Sequence, residues 1–239
     1  MKTRKIVAIH QPNFFPWLGY FDKIARSDAF VFLDHVQFPK TGGIWSNRVK
    51  LRKGGEARWA TAPIRRAFHG VASINQVEWA DEQPWREKLL KTLQANYGRA
   101  PYFHETMELL VPLVQRPEPN LARYNIHAVR SIAAYLNIRH DHCVTSSEMN
   151  LKGGGTNLLI DITRKVGGTA YMCGGGAGGY QDDEHFNAAD VELIYQGFLH
   201  PIYAQIGGGD FVPGLSIVDA LMNCGRTRTR GMLGENLCR

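Results

Sequence analysis

Histidine, carboxylate and thiol side chains follow three apolar runs of this sequence, each where a buried strand would end. His10 and Gln11 come after the first run and Asp34 after the second, while Cys173 follows the apolar residues 169–172. Histidine can act as a general base near neutral pH, a carboxylate can orient it, and a cysteine beside a base can act as a nucleophile. Because open α/β sheets bind ligands at the carboxyl ends of their strands, we expect acid–base or nucleophilic chemistry there.

Each of these residues also has a structural interpretation. His10 could hydrogen-bond the turn that follows it, Asp34 could cap a turn, and Cys173 could be buried and inert. The glycine-rich stretch at 174–179 matches neither the dinucleotide fingerprint nor the Walker loop. Its first glycines, Gly174 and Gly175, still allow a ligand to approach the backbone closely, with Tyr180 directly after the stretch as a further binding candidate.

Positive charge is concentrated in one segment. The net charge is +6, and residues 40–66 contain eight Lys or Arg against one Glu. Lys40, Asn47 and Arg48 are predicted to meet a phosphate-bearing small molecule, because arginine offers phosphate a planar bidentate contact. The alternative is a solvated strand edge whose cations oppose aggregation. The sequence has no zinc-finger, RNP or basic-heptad pattern, which disfavours a general nucleic-acid surface.

Two polar residues stand out in the last predicted helix. Asp219 and Asn223 lie four residues apart and would share one face. Asp219 interrupts an apolar segment, and a buried carboxylate needs a partner. Both are therefore candidate binding residues.

The elements that must position these residues follow from the hydrophobic pattern. We predict strands at 5–11, 29–33, 141–145, 169–172 and 191–195, a hairpin at 48–52 and 58–64, and helices at 17–27, 84–97, 102–115, 121–136, 156–166 and 217–222. The alternation predicts an α/β fold with a largely parallel sheet flanked by helices, a basic β-rich insert and a helical subdomain. We expect a single domain over 1–239, with the inserted segment at about 40–137 and a mobile, Arg-rich tail at 226–239.

Composition narrows the class of protein. With 239 residues, 44% of them hydrophobic and 21% charged, the chain can form a substantial core, and no apolar stretch is long enough for a membrane span. The four cysteines form no CxxC pair and the first apolar run is too short for a signal peptide, so we expect a reduced, cytoplasmic setting. His140, His142 and Cys143 lack a second pair of spaced ligands, so we predict no metal site.

Four blocks of the sequence resemble the WbqC-like protein family. They are Ile9-His-Gln-Pro-Asn-Phe-Phe-Pro-Trp-Leu-Gly-Tyr-Phe-Asp-Lys-Ile24, Phe32-Leu-Asp-His-Val-Gln37, Trp45-Ser-Asn-Arg48, and Gly208-Gly-Asp-Phe-Val-Pro-Gly-Leu-Ser-Ile-Val-Asp219 with Asn223 and Gly225. The resemblance implies a site lined by the motif residues His10, Gln11, Asp34, Gln37, Asn47, Arg48, Asp219 and Asn223. The family usually has serine or another residue in place of Cys173, which argues against a shared thiol mechanism.

The resemblance also implies a bacterial-type biosynthetic role, since WbqC-like proteins are associated with polysaccharide and O-antigen gene sets. Some are similar to N-acyltransferases of nucleotide-linked amino sugars. We therefore expect an amide-forming N-acyl or aminoacyl transferase that uses acyl-CoA or another activated acyl donor and holds no tightly bound cofactor. His10, held by Asp34, would accept the proton of the acceptor amine. Two alternatives stay open: a non-catalytic protein that binds a nucleotide or nucleotide sugar, and aminoacyl transfer from tRNA.

Overall fold

The computed structural model describes residues 3–39, 45–66, 71–174 and 183–234. Its elements, in chain order, are β1 (Ile6–His10), α1 (Leu18–Arg26), β2 (Ala29–Phe32), β3 (Arg48–Lys53), β4 (Glu56–Thr61), α2 (Trp85–Tyr97), α3 (Phe103–Gln115), α4 (Leu121–Tyr135), β5 (Cys143–Thr145), α5 (Gly155–Lys165), β6 (Ala170–Cys173), α6 (Asp183–Ala188), β7 (Glu192–Tyr195) and α7 (Ile217–Gly231). Short 3₁₀ helices lie at Ile74–Gln76 and Ser146–Met149. None of the helices within these ranges combines the length and hydrophobicity that crossing a bilayer requires.

Five short apolar strands form one parallel sheet in the order β5-β2-β1-β6-β7. Helices cover both faces, because the buried side chains of α1 to α4 and α7 belong to one core and those of α5 and α6 to another. Parallel strands buried on both sides in this way read as continuous apolar runs, which is the pattern of β1 and β2. The predicted α/β fold is confirmed.

The sheet divides at the carboxyl ends of β1 and β6. β1 pairs with β2 through its last residue, His10, and β6 pairs with β7 through Cys173. The pairs between β1 and β6 end earlier, at Ala8 and Met172. The chain leaves β1 towards β2 and leaves β6 in the opposite direction, towards β7. Such a switch point opens a crevice in which ligands of α/β proteins bind.

The hairpin of β3 and β4 and the helices α2, α3 and α4 lie between β2 and β5 in the chain, within the predicted insert. The predicted hairpin turn is confirmed, because Gly54 and Gly55 both have positive φ, 60° and 83°. A glycine pair tolerates this conformation without strain. The hairpin packs onto the α1 side of the sheet through the buried Val49 and Leu51.

The last helix is longer than predicted. We expected it to end near Gly225, but α7 continues to Gly231 across a kink at Gly225, where φ is 69° and ψ is 178°. A Cβ at this position would lie 2.5 Å from the ring of Tyr102, so only glycine fits. The helix resumes because Thr229 and Leu233 are buried. Residues 226–231 are thus helical, and 235–239 lie outside the described residues.

Candidate functional site

A lysine side chain lies where the carboxyl ends of β1 and β6 separate. Lys23 lies on α1, is 2% exposed, and donates a hydrogen bond from Nζ to the Ile9 carbonyl at 3.1 Å. Ile9 comes just after the last residue of β1 that pairs with β6. Its carbonyl therefore lies where the pairing of these two strands has ended. Burial lowers the pKa of Lys23 to about 8, opposed by the nearby Cys173. The ammonium has three N–H groups and one hydrogen-bond partner among the described residues, which leaves it able to bind an oxyanion.

His10 ends β1 close enough to this ammonium for the charge to act on its imidazole. Its Nδ1 is 3.2 Å from the Gln11 carbonyl, and its ring is 4.7 Å from the ring of Tyr20, between centroids. Burial and then the charge of Lys23 lower the pKa of His10 to about 3, so the imidazole is neutral at pH 7. Because a carbonyl can only accept, Nδ1 carries the proton and Nε2 keeps a free lone pair. The imidazole is therefore a weak base in the ligand-free protein, and it can accept a proton at Nε2 once a bound negative charge raises its pKa.

Cys173 faces the other side of the sheet. Successive strand side chains alternate, and Cys173 packs with Ile9 in the core under α5, whereas Ala8, two residues before His10, packs in the core under α1. The thiol is fully buried, and burial raises its pKa, opposed by Lys23. His10 and Cys173 therefore end neighbouring strands without facing each other, which disfavours a cysteine–histidine nucleophile.

Asp34 does not support His10. Its Oδ1 accepts hydrogen bonds from Ser146 Oγ (3.0 Å) and Ser147 N (2.9 Å), and its Oδ2 accepts one from Ser147 Oγ (2.7 Å). No hydrogen bond joins Asp34 to His10 in the described part of the chain. The predicted pairing of these two residues is wrong because Asp34 fixes the 3₁₀ helix after β5, on the far side of β2. Lys23, which we did not predict, is the charged group next to His10.

The other predicted residues near β1 are dispersed. The Gln11 carbonyl accepts a hydrogen bond from Tyr20 OH at 2.9 Å, and Gln37 is exposed beyond β2. Asn47 is 4% exposed and donates to the Ala62 carbonyl at 3.1 Å, so it holds the two strands of the hairpin together where β3 begins. A Cβ placed on Gly174 would have no neighbour within 4 Å, which leaves open space at the end of β6. The candidates Lys40, Gly175 and Tyr180 lie outside the described residues.

The buried Asp219 carboxylate accepts its hydrogen bonds through one oxygen, Oδ2. Its Oδ2 accepts from Tyr203 OH (2.8 Å) and Gln205 Nε2 (2.9 Å), and Gln205 Oε1 in turn accepts from Arg52 Nη1 (2.9 Å). Asn223 Oδ1 accepts from the backbone N–H of residue 206 at 2.7 Å. Burial raises the pKa of Asp219, and the hydrogen bonds it accepts oppose this. These five residues, here called the Asp219 cluster, tie α7, β3 and the loop after β7 together.

Two exposed tryptophans and two cations lie on the outer face of the hairpin. We call Trp45, Arg48, Lys50 and Trp59 the tryptophan platform. The indole rings of Trp45 and Trp59 are 4.8 Å apart, and the Arg48 guanidinium lies 4.1 Å from the Trp59 ring centroid. Arg48 was predicted to bind phosphate, but neither tryptophan was recognised.

The chain was compared with known proteins. The model of the WbqC-like protein family matches residues 11–231. The chain belongs to this family. The uncharacterized protein Rv1507c of Mycobacterium tuberculosis is 31% identical to this WbqC-like chain over 227 residues, which cover 92% of the chain and 94% of the relative. No solved structure matches it.

Residues of the WbqC-like motif blocks hold together the segments around the crevice. Ser216 of the closing block, for example, donates from Oγ to the Phe15 carbonyl of the opening block at 2.6 Å. Lys23 was present in the opening block, and its signal was a cation inside an otherwise buried helical stripe.

Among the described residues, no group of three or more histidine, cysteine or acidic side chains could hold a metal ion, and His142 instead contacts the Ile24 carbonyl at 3.2 Å.

Proposed function

We propose that this WbqC-like protein is an N-acyl or aminoacyl transferase that forms an amide on an amine-bearing acceptor, with a nucleotide-linked amino sugar as the expected acceptor type. The observation that supports it is the division of the sheet at β1 and β6, where neutral His10 ends β1 and the Lys23 ammonium, whose charge acts on His10, binds the Ile9 carbonyl. One group can accept a proton while the other stabilises negative charge, and acyl transfer to an amine needs both.

The proposed reaction begins with an acyl thioester such as acyl-CoA. The amine nitrogen attacks the acyl carbon, a C–N bond forms, and the carbonyl electron pair moves onto oxygen. Lys23 stabilises that oxyanion, and His10 Nε2 accepts the amine proton. The intermediate then collapses: the C–S bond breaks, and the proton passes from His10 to the leaving thiolate. A bound phosphate or oxyanion beside His10 raises its basicity, since a nearby negative charge favours the imidazolium.

The test is amide formation by His10→Ala and Lys23→Met. Purified variants are incubated with a panel of acyl-CoAs and amino-sugar nucleotides, and the N-acylated product is measured by mass spectrometry. We expect each substitution to lower kcat/KM by about 10²-fold or more. The matched controls are His104→Ala and Lys91→Met, on the exposed faces of α3 and α2, which should leave the rate unchanged.

Undiminished product formation by folded His10→Ala would refute this mechanism. If wild-type protein binds members of the panel in a thermal-shift assay and yields no amide with any donor, the non-catalytic alternative is favoured. That alternative draws on the weak basicity of His10 and on the half-buried cations of the tryptophan platform. Transfer from aminoacyl-tRNA is the second variant, and it requires tRNA binding that weakens steeply as salt concentration rises.

A further inference from the structure

The outer face of the hairpin keeps its polar and aromatic side chains away from the core. The β3–β4 register places Lys50 opposite Trp59 and Arg48 opposite Thr61, so these residues share one face. The alternate residues of β3, Val49 and Leu51, are 2% exposed and pack inward. Arg52 lies on the outer face by register but is buried beneath the loop after β7. That loop closes one end of the face and leaves the Arg48 end open.

Two tryptophans are left in contact with solvent on this open end. Trp45 is 36% exposed and Trp59 is 40% exposed, whereas Trp79 and Trp85 are buried in the core. Indole rings carry a large apolar area, so an exposed pair in mutual contact is typical of a binding surface. Planar groups stack on such rings because every aromatic base offers a π-face.

Neither cation of the platform has an acidic partner among the residues that the structure describes. Arg58 pairs with Glu56 at 2.6 Å and Arg65 pairs with two glutamates, but no ion pair involves Arg48 or Lys50 in the described ranges. Lys50 Nζ lies 5.1 Å from the Trp59 ring centroid and 5.4 Å from that of Trp45. Arg48 Nε is buried without a hydrogen-bond partner in the described structure. The charges of Arg48 and Lys50 therefore lie beside the two rings without an ion-pair partner among the described residues.

We propose that the tryptophan platform binds a nucleoside diphosphate, with the base stacked on one indole ring and in contact with the other, which is inclined to it at 66°, and the diphosphate on Arg48 and Lys50. The chemistry discriminates among ligands. A neutral sugar would leave both cations unused, a cationic ligand would be repelled by them, and an inorganic phosphate would leave the rings unused. A nucleotide uses both sets of groups, because guanidinium and ammonium groups bind phosphate while bases stack on tryptophan.

Backbone hydrogen bonds connect the platform to the crevice. The Trp45 carbonyl accepts from Phe14 N at 2.7 Å, and the Lys50 carbonyl accepts from Ser216 N at 2.9 Å. Phe14 belongs to the segment 11–17 that begins directly after His10. This assignment deepens the proposed transferase function. It rests on that function for the role of the bound nucleotide, which would be the part of the acceptor that the protein recognises. Nucleotide binding is measured without an acyl donor, so failure of either proposal is distinguishable from failure of the other.

The experiment is titration calorimetry of the full chain with uridine diphosphate and adenosine diphosphate, alongside uridine and inorganic pyrophosphate. We expect both nucleotides to bind more tightly than either fragment. Trp59→Leu should weaken nucleotide binding about tenfold or more, and Trp59→Phe should retain most of it, because stacking survives. Lys50→Met should weaken binding and flatten its salt dependence. Arg58→Met, a cation already paired with Glu56, is the control that should bind like wild type.

Three results would overturn the assignment. One is the absence of nucleotide binding at millimolar concentration. Another is equal binding of the nucleotides by wild type, Trp59→Leu and Trp45→Leu, with folding verified by circular dichroism. The third is that a single-stranded RNA oligonucleotide binds far more tightly than either nucleotide and that the tryptophan variants lose this binding. That result would make the platform an RNA-binding surface.

Discussion

The Asp219 cluster and the crevice around Lys23 both include residues of the family motif blocks, yet their polar groups are used differently. In the cluster, the carboxylate, the glutamine and the arginine hydrogen-bond one another in a fully enclosed space. In the crevice, Lys23 has a single hydrogen-bond partner among the described residues and His10 keeps part of its surface in solvent. A buried hydrogen-bond network of this kind stabilises the fold, whereas a cation with one hydrogen-bond partner at the end of a dividing sheet can bind a ligand.

The difference shows that membership of a motif does not by itself identify a catalytic residue. Asn47, Asp34 and Asp219 hold loops and strands in place, and each is nearly fully buried. Substitutions in the two regions should accordingly separate stability from ligand chemistry.

Asp219→Ala should have the largest effect on stability. It leaves the Tyr203 hydroxyl without its acceptor, removes one of the two acceptors of the Gln205 amide and leaves Arg52 next to the gap, so we expect a loss of about 3–5 kcal/mol in the free energy of unfolding. Urea denaturation measures it, with Asp161→Ala on the exposed side of α5 as the control. A loss below about 1 kcal/mol would contradict the role of the cluster as a structural anchor.

The pH dependence of stability tests the environment of His10. Its pKa in the folded protein is about 3, below the ordinary 6.5, owing to burial and the charge of Lys23. As the pH falls below 6.5, the unfolded chain binds a proton first, so the folded state loses stability until the folded pKa is reached. Partial exposure reduces the effect, and we expect about 2 kcal/mol between pH 6.5 and about pH 4.

The measurement is the difference in unfolding free energy between wild type and His10→Gln across that pH range. Carboxylates titrate in both proteins and cancel in the difference. His104→Gln should follow the wild-type curve. Parallel curves for wild type and His10→Gln would show that the imidazole is freely solvated.

Lys23→Met should change stability little at pH 7, by about 1 kcal/mol or less, because a buried ammonium costs desolvation and methionine fills a similar volume. Its signature appears at alkaline pH. The pKa of Lys23 is about 8 in the folded protein against 10.5 as its ordinary value. Above pH 8 the unfolded chain binds more protons, so wild type gains about 1–2 kcal/mol relative to Lys23→Met by about pH 10. Unfolding curves at several pH values measure the gain, and its absence would contradict the burial of this lysine.

The fold could be predicted to a large extent because local patterns encode it. Apolar runs and helical spacing located all five sheet strands and the hairpin, since these elements bury the side chains that define the patterns. The continuation of α7 past Gly225 was missed, because this glycine serves a contact with Tyr102 that is distant in the chain. Helix α6 was not predicted either, and its six residues bury a single side chain, Phe186.

The site was predictable only in part. Strand ends identified His10 and Cys173, but not that their side chains point to opposite faces, which depends on the register of β1 with β6. The serines that bind Asp34 are more than a hundred residues away in the sequence. The role of Lys23 was not predicted because the opening of the sheet beside it is a tertiary feature, and the cation within a helical apolar stripe was the one local signal.

The smallest expected effect is that of Cys173→Ala on catalysis. Burial raises the pKa of the thiol and so favours its protonated form. Its side chain faces the core under α5, on the opposite face of the sheet from His10. A noncovalent mechanism therefore predicts amide formation within about twofold of wild type, with a stability loss of about 1 kcal/mol from the small cavity. The assay is the one used for His10→Ala. An acyl-thioester trapped on Cys173 by mass spectrometry, together with loss of activity in the alanine variant, would place the thiol in the reaction and make the two faces of the sheet parts of one site.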